Sequence, residues 1–142
     1  ILQMLNKRMP AYVETGLNFV HVDDVALGHF LALDKGKIGE KYILGGENLM
    51  FKEFLDLISE YAKMPKVRFR LSAKYLYPFA YLNEFFAYIL DNYDPMLTVD
   101  GLSMSRKKMF FSSEKAKKQL GYRPRDIKSA IKDSVDWIKS RF

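Results

Sequence analysis

The sequence of 142 residues contains no cysteine and only two histidines, His21 and His29. Without cysteine the chain can form neither a disulfide bond nor a thiolate metal site, which fits a reducing cytoplasm. The two histidines have no acidic partner arranged to complete a metal site. We therefore predict a cytoplasmic protein that holds no metal ion.

The sequence also lacks the glycine-rich fingerprint of dinucleotide-binding proteins. No G-x-G-x-x-G follows a strand anywhere in the chain. That fingerprint seats the pyrophosphate of a dinucleotide on a helix N-terminus. We therefore expect the chain by itself to bind no nicotinamide cofactor.

No apolar run is long enough to cross a bilayer, which takes about 20 residues. An aromatic-rich stretch over residues 75–93 favours a core-facing helix of a substrate-binding lobe. The alternative is a helix lying on a membrane, but such helices usually carry a polar face rich in Lys and Arg. This stretch has no cation after Lys74, so stable membrane insertion is not predicted. The residues that interrupt it are Pro78, Asn83, Glu84 and Asp91.

The chain is basic, with 23 Lys and Arg against 17 Asp and Glu and a formal net charge of +6. The charge is spread out, with one dense region at residues 106–108 and 115–118. This region is explained either by solvated helix faces or by a phosphate or carboxylate site near Arg106. A basic, non-catalytic module for nucleic acid or an anionic membrane surface is the alternative function. The aromatic residues have core-like spacing, so no nucleic-acid partner is predicted.

Residues 16–26 are typical of a short strand that runs straight into a helix. Two aspartates, Asp23 and Asp24, stand where the helix needs a cap, because a carboxylate accepts hydrogen bonds from free N–H groups at a helix start. We expect them to be structural rather than catalytic, and the helix to stop at Lys35 and Gly36. His21, on the strand, is predicted to be a structural hydrogen-bonding residue.

The middle of the chain alternates strand and helix patterns, which is typical of an α/β fold with a parallel sheet. A buried strand over residues 41–46 ends in a glycine turn, and a helix follows over residues 51–63. The capping box of that helix is incomplete at Met50, and Asn48 could substitute. A strand over residues 67–71 alternates apolar and basic side chains, with Val67, Phe69 and Leu71 predicted to face inward.

The last third contains a short predicted strand over residues 109–113 and two helices. Ser112 is predicted to cap the helix over residues 114–120, which Gly121 closes. Asp126 is predicted to cap the final helix. The apolar face of that helix comprises Ile127, Ala130, Ile131, Ser134, Val135 and Ile138.

Three segments together carry a family resemblance: TGLNFVHVDDVALGH (residues 15–29), YILGGEN (42–48) and TVDGLSMSRKKMFFSSEKA (98–116). In this order and spacing they resemble extended short-chain dehydrogenases/reductases. These are NAD(P)-dependent sugar epimerases, dehydratases and dihydroflavonol-reductase-like enzymes. Among them the similarity is greatest to the hopanoid-associated sugar epimerases. The similarity runs through almost the whole chain.

The resemblance implies that the chain is the second half of a larger enzyme. Residues 1–66 would supply the last strands and helices of a Rossmann-type NAD(P)-binding sheet. Residues 67–142 would form most of a small α/β substrate-binding lobe and the C-terminal helices. The first half would bind NAD or NADP and supply the catalytic Ser/Thr, Tyr and Lys, so no catalytic residue is expected here. Indeed no tyrosine of this chain has a lysine four residues later.

The resemblance also implies the partners and the site residues. The partners would be the missing cofactor half, a sugar or related alcohol or ketone as substrate, and a second copy in a homo-oligomer. The choice between NAD and NADP, and between epimerisation, reduction and dehydration, stays open. Four residues match substrate-contacting positions of similar enzymes, namely Tyr12, Val13, Asn18 and Arg106. For Tyr12, Val13 and Arg106, strand packing or simple solvation is an equally good explanation.

One departure from the family pattern concerns the substrate. Members that bind nucleotide sugars often place an Arg-Asp pair before the "FVHV" strand, and this Arg binds the substrate diphosphate. Leu17 and Asn18 stand there in this chain. Leucine cannot neutralise a phosphate. This departure puts a nucleoside-diphosphate sugar in doubt as the substrate.

Overall fold

The computed structural model describes residues 1–6, 9–89 and 98–141. These ranges form a mixed α/β structure of seven helices and four short strands, in agreement with the predicted fold class. The elements in chain order are α1 (Leu2–Leu5), β1 (Ala11–Val13), β2 (Gly16–Phe19), α2 (Val22–Lys35), β3 (Glu47–Met50), α3 (Phe51–Ala62), β4 (Phe69–Leu71), α4 (Ala73–Ile89), α5 (Val99–Ser105), α6 (Glu114–Leu120) and α7 (Ile127–Arg141).

The described strands form two separate pairs. β1 and β4 are parallel, with Ala11 opposite Phe69 and Val13 opposite Leu71. β2 and β3 are antiparallel, with Gly16 opposite Met50. The predicted parallel arrangement is therefore right for the first pair and wrong for the second. An antiparallel partner for β2 lies 28 or more residues away in sequence, so local patterns carry no information about it.

The main core lies between α3 and α7. Both helices carry apolar residues three or four positions apart, which places these side chains on one face of each helix. The face predicted for the final helix is the one that is buried. The core also takes in residues from both sides of the boundary predicted at residues 66 and 67. Its buried members are Met4, Tyr12, Leu55, Ile58, Val67, Ile127, Ala130, Ile131 and Val135.

A second, smaller core lies between α2 and α6, built on Ala116, Leu120 and Tyr122. Tyr42 and Leu44 pack against it from the segment 41–46. The strand predicted for this segment is wrong in the described structure, which assigns it no strand. Within the described ranges no strand pairs with this segment, and its Tyr42 and Leu44 side chains pack against the core between α2 and α6 instead.

The ends of α3 and α6 follow the sequence signals closely. α3 ends at Ala62, and Lys63 adopts the left-handed conformation with φ 55°. Glu53 Oε2 accepts a hydrogen bond from the Met50 N–H at 2.9 Å, which completes half of a capping box. The predicted substitution by Asn48 is wrong, because that side chain bonds elsewhere. Gly121 closes α6 with φ 73°.

The left-handed residues at these two helix ends predict opposite changes in stability for two substitutions. A left-handed backbone costs an L-residue about 1–2 kcal/mol, and glycine adopts it freely. We therefore expect Lys63→Gly to raise the free energy of unfolding by roughly 0.5–1 kcal/mol and Gly121→Ala to lower it by about 1 kcal/mol. Urea denaturation measures both. Equal signs for the two variants would contradict the prediction.

The aromatic stretch forms a continuous helix, α4, with Pro78 inside it. The core-facing helix predicted here is wrong for the described residues, since Ala80 is their one buried member in α4. Residues 90–93 of the predicted stretch lie outside the described residues. α5, which the sequence did not predict, follows; Glu84 Oε1 accepts a hydrogen bond from the Val99 N–H at 2.7 Å. In the described ranges no helix combines the length and the apolar character that a membrane span requires.

β4 also differs from the sequence expectation. Val67 is buried as predicted, but Phe69 and Leu71 are 74% and 44% exposed. Alternation places both on the same side of the strand. A half-buried strand needs a second layer over its apolar face. The described part of the chain supplies only the edge partner β1, so the inward orientation predicted for these two residues is wrong here.

Candidate functional site

The candidate site begins at Asn18, in the middle of β2. Its Nδ2 donates a hydrogen bond to Asn48 Oδ1 at 2.7 Å, across the β2–β3 pair. Its Oδ1 accepts a hydrogen bond from the Gly46 N–H at 3.0 Å. A Cβ added at Gly45 would lie 2.7 Å from Asn18 Oδ1, so glycine is needed for this approach. Asn18 thereby joins β2 to Gly46, directly before β3.

Asn48 extends the arrangement to the segment before α6. Its Nδ2 donates to the Phe111 carbonyl at 3.0 Å, and its Oδ1 accepts from the Phe111 N–H at 3.1 Å. One side-chain amide thus makes the two bonds that a neighbouring strand would make. The strand predicted over residues 109–113 is therefore wrong, since side-chain bonds replace a backbone ladder at this point. We call Asn18, Gly46, Asn48 and Phe111 the asparagine junction.

Two further bonds hold the preceding residues along β2. The Met109 N–H donates to the Gly16 carbonyl at 2.8 Å, and Thr15 Oγ1 donates to the Lys107 carbonyl at 3.3 Å. The chain therefore runs beside residues 15–16 just after α5. Arg106 directly precedes this contact and is exposed, as are Lys107 and Lys108. We call Arg106, Lys107 and Lys108 the basic edge.

The structure places the four predicted substrate-contacting residues on different elements. Asn18 belongs to the asparagine junction, Arg106 to the basic edge, and Val13 ends β1 two residues before Thr15. Tyr12 is different, because its side chain is 9% exposed and belongs to the main core.

A cleft of about 340 Å³ lies beside the junction. Asn48, Phe111, Ser112 and Lys117 are among its lining residues, so it combines an aromatic wall with polar groups. Ligand sites are typically concave and carry a few fixed polar groups on apolar walls. This cleft and the basic edge together form the candidate site.

The start of α2 is held differently from the sequence expectation. The N-cap is His21, whose Nδ1 accepts a hydrogen bond from the Asp23 N–H at 3.1 Å. The prediction that Asp23 and Asp24 cap this helix is wrong. They lie in its first turn, because the helix begins at Val22, one residue before them. Their charge still suits the positive end of the helix.

Asp24 has a long-range role that the sequence does not reveal. Its side chain is 5% exposed, and it accepts two hydrogen bonds from Arg125, from the backbone N–H and from Nε, both at 2.9 Å. Asp23 is 68% exposed and lies 3.8 Å from Arg125 Nη1. The buried carboxylate thus joins the start of α2 to the loop before α7.

His21 completes the same arrangement. Since Nδ1 accepts the cap hydrogen bond, the ring hydrogen of the neutral form lies on Nε2, which is 3.3 Å from Asp133 Oδ2. The imidazole therefore links the start of α2 to α7. Both ring nitrogens have protein partners, and these contacts make a structural role the simplest interpretation.

Of the two remaining predicted caps, Asp126 caps its helix and Ser112 does not. Asp126 Oδ1 accepts a hydrogen bond from the Ser129 N–H at 2.8 Å, a capping contact that lowers the pKa of the Asp126 carboxyl. Ser112 is not the N-cap of α6, because that position belongs to Ser113. Ser112 Oγ does accept a hydrogen bond from the Glu114 N–H, at 3.4 Å. In the described ranges, no group of three or more His, Asp or Glu could hold a metal ion.

Comparison with known proteins finds relatives that match this chain over almost its whole length. A Synechocystis sp. protein provisionally named dihydroflavonol 4-reductase is 36% identical over an alignment of 144 positions, which covers 99% of this chain and 42% of that protein. The protein gox2253, whose crystal structure is known, has 50% sequence identity to this chain. The two structures align with a TM-score of 0.78, over 98% of this chain and 42% of that chain. The chain belongs to the short-chain dehydrogenase/reductase and epimerase family. No family model matches it.

More distant members of the family agree. Human short-chain dehydrogenase/reductase family 42E member 1 is 31% identical over 94% of this chain and 39% of that protein. A nucleoside-diphosphate-sugar epimerase from Pseudomonas aeruginosa has the same fold, with a TM-score of 0.77 at 23% identity. The chain spans about two fifths of the length of these relatives and corresponds to their C-terminal part. The predicted resemblance and the Rossmann-type relationship are confirmed.

The sequence does not predict the contacts of Asn48 and Arg125. It indicates Asn48 only as a helix cap and includes Arg125 only in the net charge. A signal exists for Asn48, because an asparagine one residue before an apolar pair in a short strand is unusual for a strand interior. Arg125 has none, since its partner Asp24 lies 101 residues away.

The asparagine junction gives a graded prediction. Asn48→Ala removes both bonds to Phe111 and the bond from Asn18, and because Asn48 is exposed we expect a loss of only about 1 kcal/mol in the free energy of unfolding. Asn48→Asp keeps the acceptor for the Phe111 N–H and is expected to lose less. Chemical denaturation ranks the unchanged chain, Asn48→Asp and Asn48→Ala by their free energy of unfolding. A greater loss for Asn48→Asp than for Asn48→Ala would contradict it.

Proposed function

We propose that the chain forms the substrate-side part of an NAD(P)-dependent epimerase or reductase that acts on a sugar or a related alcohol or ketone. Support comes from relatives whose names describe reductases and epimerases. Two solved structures of the same fold contain a cofactor, NADPH in RMD from Pseudomonas aeruginosa and NAD in UDP-glucuronic acid 4-epimerase from Bacillus cereus. The nucleic-acid alternative finds no support among the relatives.

The observation that carries this proposal is the position of the basic edge. Bonds from Thr15 and to Gly16 hold residues 107–109 beside the start of β2, the strand that carries Asn18. A guanidinium recognises carboxylates, phosphates and clustered hydroxyl oxygens through several parallel hydrogen bonds. Arg106 would therefore orient a polar or anionic group of the substrate. Leu17 supports a substrate that is not a nucleoside-diphosphate sugar.

The cofactor would be held outside this chain. We propose that a cofactor half binds NAD or NADP and supplies the proton-transfer residues, while the nicotinamide takes and returns a hydride. Residues 1–66 would complete its sheet, and residues 67–142 would form most of the substrate lobe. Residues 42–44, which form no strand in the described part of the chain, would pair with a strand of that half. A homo-oligomer and a cytoplasmic location are parts of the same proposal.

The experiment is a chimera in which this chain replaces the matching part of gox2253, whose sequence is 50% identical there. We expect a folded protein that binds NADH or NADPH and reduces or epimerises compounds from a panel of sugars, alcohols and ketones. Its substrate preference should differ from that of gox2253 and follow the transplanted chain. A folded, cofactor-binding chimera with the unchanged preference of gox2253 would contradict the proposal.

Within that chimera, Arg106→Ala tests the basic edge. Losing a multidentate contact to a polar substrate group raises KM by roughly tenfold, with a smaller change in kcat, if the contact is equally strong in ground and transition states. The matched control is Arg141→Ala, since Arg141 is exposed on α7 and stacks on Trp137 at 4.9 Å. Steady-state kinetics with the preferred substrate measures both. Equal KM values for Arg106→Ala and Arg141→Ala would show that Arg106 does not contact the substrate.

A further inference from the structure

The helix α4 exposes apolar side chains on more than one side. Three aromatic residues follow one another at spacings of four and three positions, which places them on one face of the helix. They are Tyr81, Phe85 and Tyr88, which are 61%, 57% and 91% exposed. We call these three residues the aromatic face. Side chains such as Phe79 and Phe86 point elsewhere, at roughly 140° around the helix axis from the aromatic face.

The polar side of α4 is turned toward α5 and not toward solvent. Ala80 is fully buried, and Glu84, one turn later, accepts the hydrogen bond from the Val99 N–H at the start of α5. Glu84 is the only acidic residue among those of α4, Ala73–Ile89. The aromatic face therefore presents no negative charge of its own helix.

Two cations stand near the start of α4. Lys74 precedes Tyr81 by seven residues, or about two helical turns, and so extends the aromatic face. Arg68 lies just before β4, the strand that leads into α4. Both are exposed, and neither has an ion pair within the described ranges. Arg70 is different, because Glu14 pairs with it at 2.6 Å.

The chemistry of this surface matches the boundary between water and an anionic bilayer. Phenol rings collect at the level of the lipid headgroups, with the ring among apolar chains and the hydroxyl in water. A lysine extends its apolar stem along such a surface and places its ammonium among anionic headgroups. Helices that lie on a membrane usually carry their cations along the polar side. In α4 that side packs on α5, and the cations stand at the helix start instead.

We propose that the aromatic face of α4, together with Lys74, docks onto an anionic lipid surface. The charge of the surface decides for this occupant, because unpaired cations accompany exposed rings and no carboxylate of α4 opposes them. α4 would lie in the plane of the interface, and in the described ranges no helix is suited to cross a bilayer. This attachment does not depend on the reaction proposed above.

Flotation of the chain with lipid vesicles tests the proposal. One set of vesicles contains phosphatidylcholine alone, and the other contains equal parts of phosphatidylcholine and phosphatidylglycerol. We expect the chain to bind the anionic vesicles more tightly than the neutral ones. Lys74→Gln should weaken binding to the anionic vesicles about fivefold, as expected for one cation at a charged surface. No binding to the anionic vesicles, or equal binding to both sets, overturns the proposal.

A double variant locates the attachment. Tyr81→Ser with Phe85→Ser removes two rings of the aromatic face and should weaken vesicle binding at least about tenfold. The matched control is Phe30→Ser with Leu33→Ser on α2, where the two side chains are 71% and 86% exposed. The control should bind as the unchanged chain does. Equal losses in the two double variants overturn the assignment to α4, and if the first does not fold, Lys74→Gln decides.

Two further measurements distinguish the other occupants of this face. If Tyr81→Ser with Phe85→Ser abolishes self-association in sedimentation experiments and leaves vesicle binding unchanged, then a second copy covers the face. If the chimera with gox2253 fails to bind the vesicles that the chain binds, then the cofactor half covers it. Either result overturns the proposal. Vesicle binding that the chimera retains and the double variant loses supports it.

Discussion

Replacing Asp24 by alanine is expected to lower the free energy of unfolding by about 2–3 kcal/mol. The substitution leaves the Arg125 backbone N–H and Nε without the acceptors that they have at 2.9 Å. The cost stays below that of a fully buried ion pair, because the Arg125 side chain is 41% exposed and water can solvate part of it. Chemical denaturation at neutral pH measures the loss.

Asp23→Ala is the matched control for this prediction. Asp23 neighbours Asp24 and bears the same charge near the same helix end, but it is 68% exposed and lies 3.8 Å from Arg125 Nη1. We expect a loss of no more than about 0.5 kcal/mol. If the two variants lose the same amount, then charge at the start of α2 matters and the bond to Arg125 does not.

The comparison of Asp23 with Asp24 shows what the sequence could predict. Two acidic residues after a strand correctly indicate the start of a helix, since caps and first-turn charges follow local rules. The exact N-cap, His21, differs by two residues from Asp23. The greater difference is that Asp24 contributes through a partner 101 residues away, which no local pattern indicates.

The same difference between local patterns and long-range contacts explains which other elements were predicted correctly. α3 and α7 were predicted closely because their apolar residues recur at helical spacing and both helices pack on that face. The strands over residues 41–46 and 109–113 were predicted wrongly, because strand formation depends on a partner that the sequence does not name. In the first case no described strand pairs with the segment. In the second, the side chain of Asn48 takes the place of a strand.

The candidate site was predictable in part. The family resemblance indicates Val13, Asn18 and Arg106, and the folded chain places Arg106 directly before residues that run beside β2. The resemblance could not indicate how Arg106 is placed there, because this depends on Thr15 and Gly16 meeting residues 107–109 across more than 90 residues of sequence.

The exposed apolar surface of α4 leads to the second prediction. Four large side chains recur at helical spacing and form one stripe along the helix. They are Tyr75, Phe79, Leu82 and Phe86, which are 81%, 64%, 54% and 49% exposed. A contiguous apolar patch of this kind is rare on a monomer and favours association. We expect the chain to self-associate through this stripe, with a second copy as the partner.

Sedimentation velocity over a concentration series tests this expectation. The chain should sediment as a dimer or larger species, and the double variant Phe79→Ser, Phe86→Ser should shift it to the monomer. The control removes two apolar side chains elsewhere, Phe30→Ser and Leu33→Ser on α2, which are 71% and 86% exposed. This control should still associate, because it leaves the stripe on α4 intact. A chain that stays monomeric at every concentration and binds no hydrophobic dye would show that the stripe on α4 is not an interface.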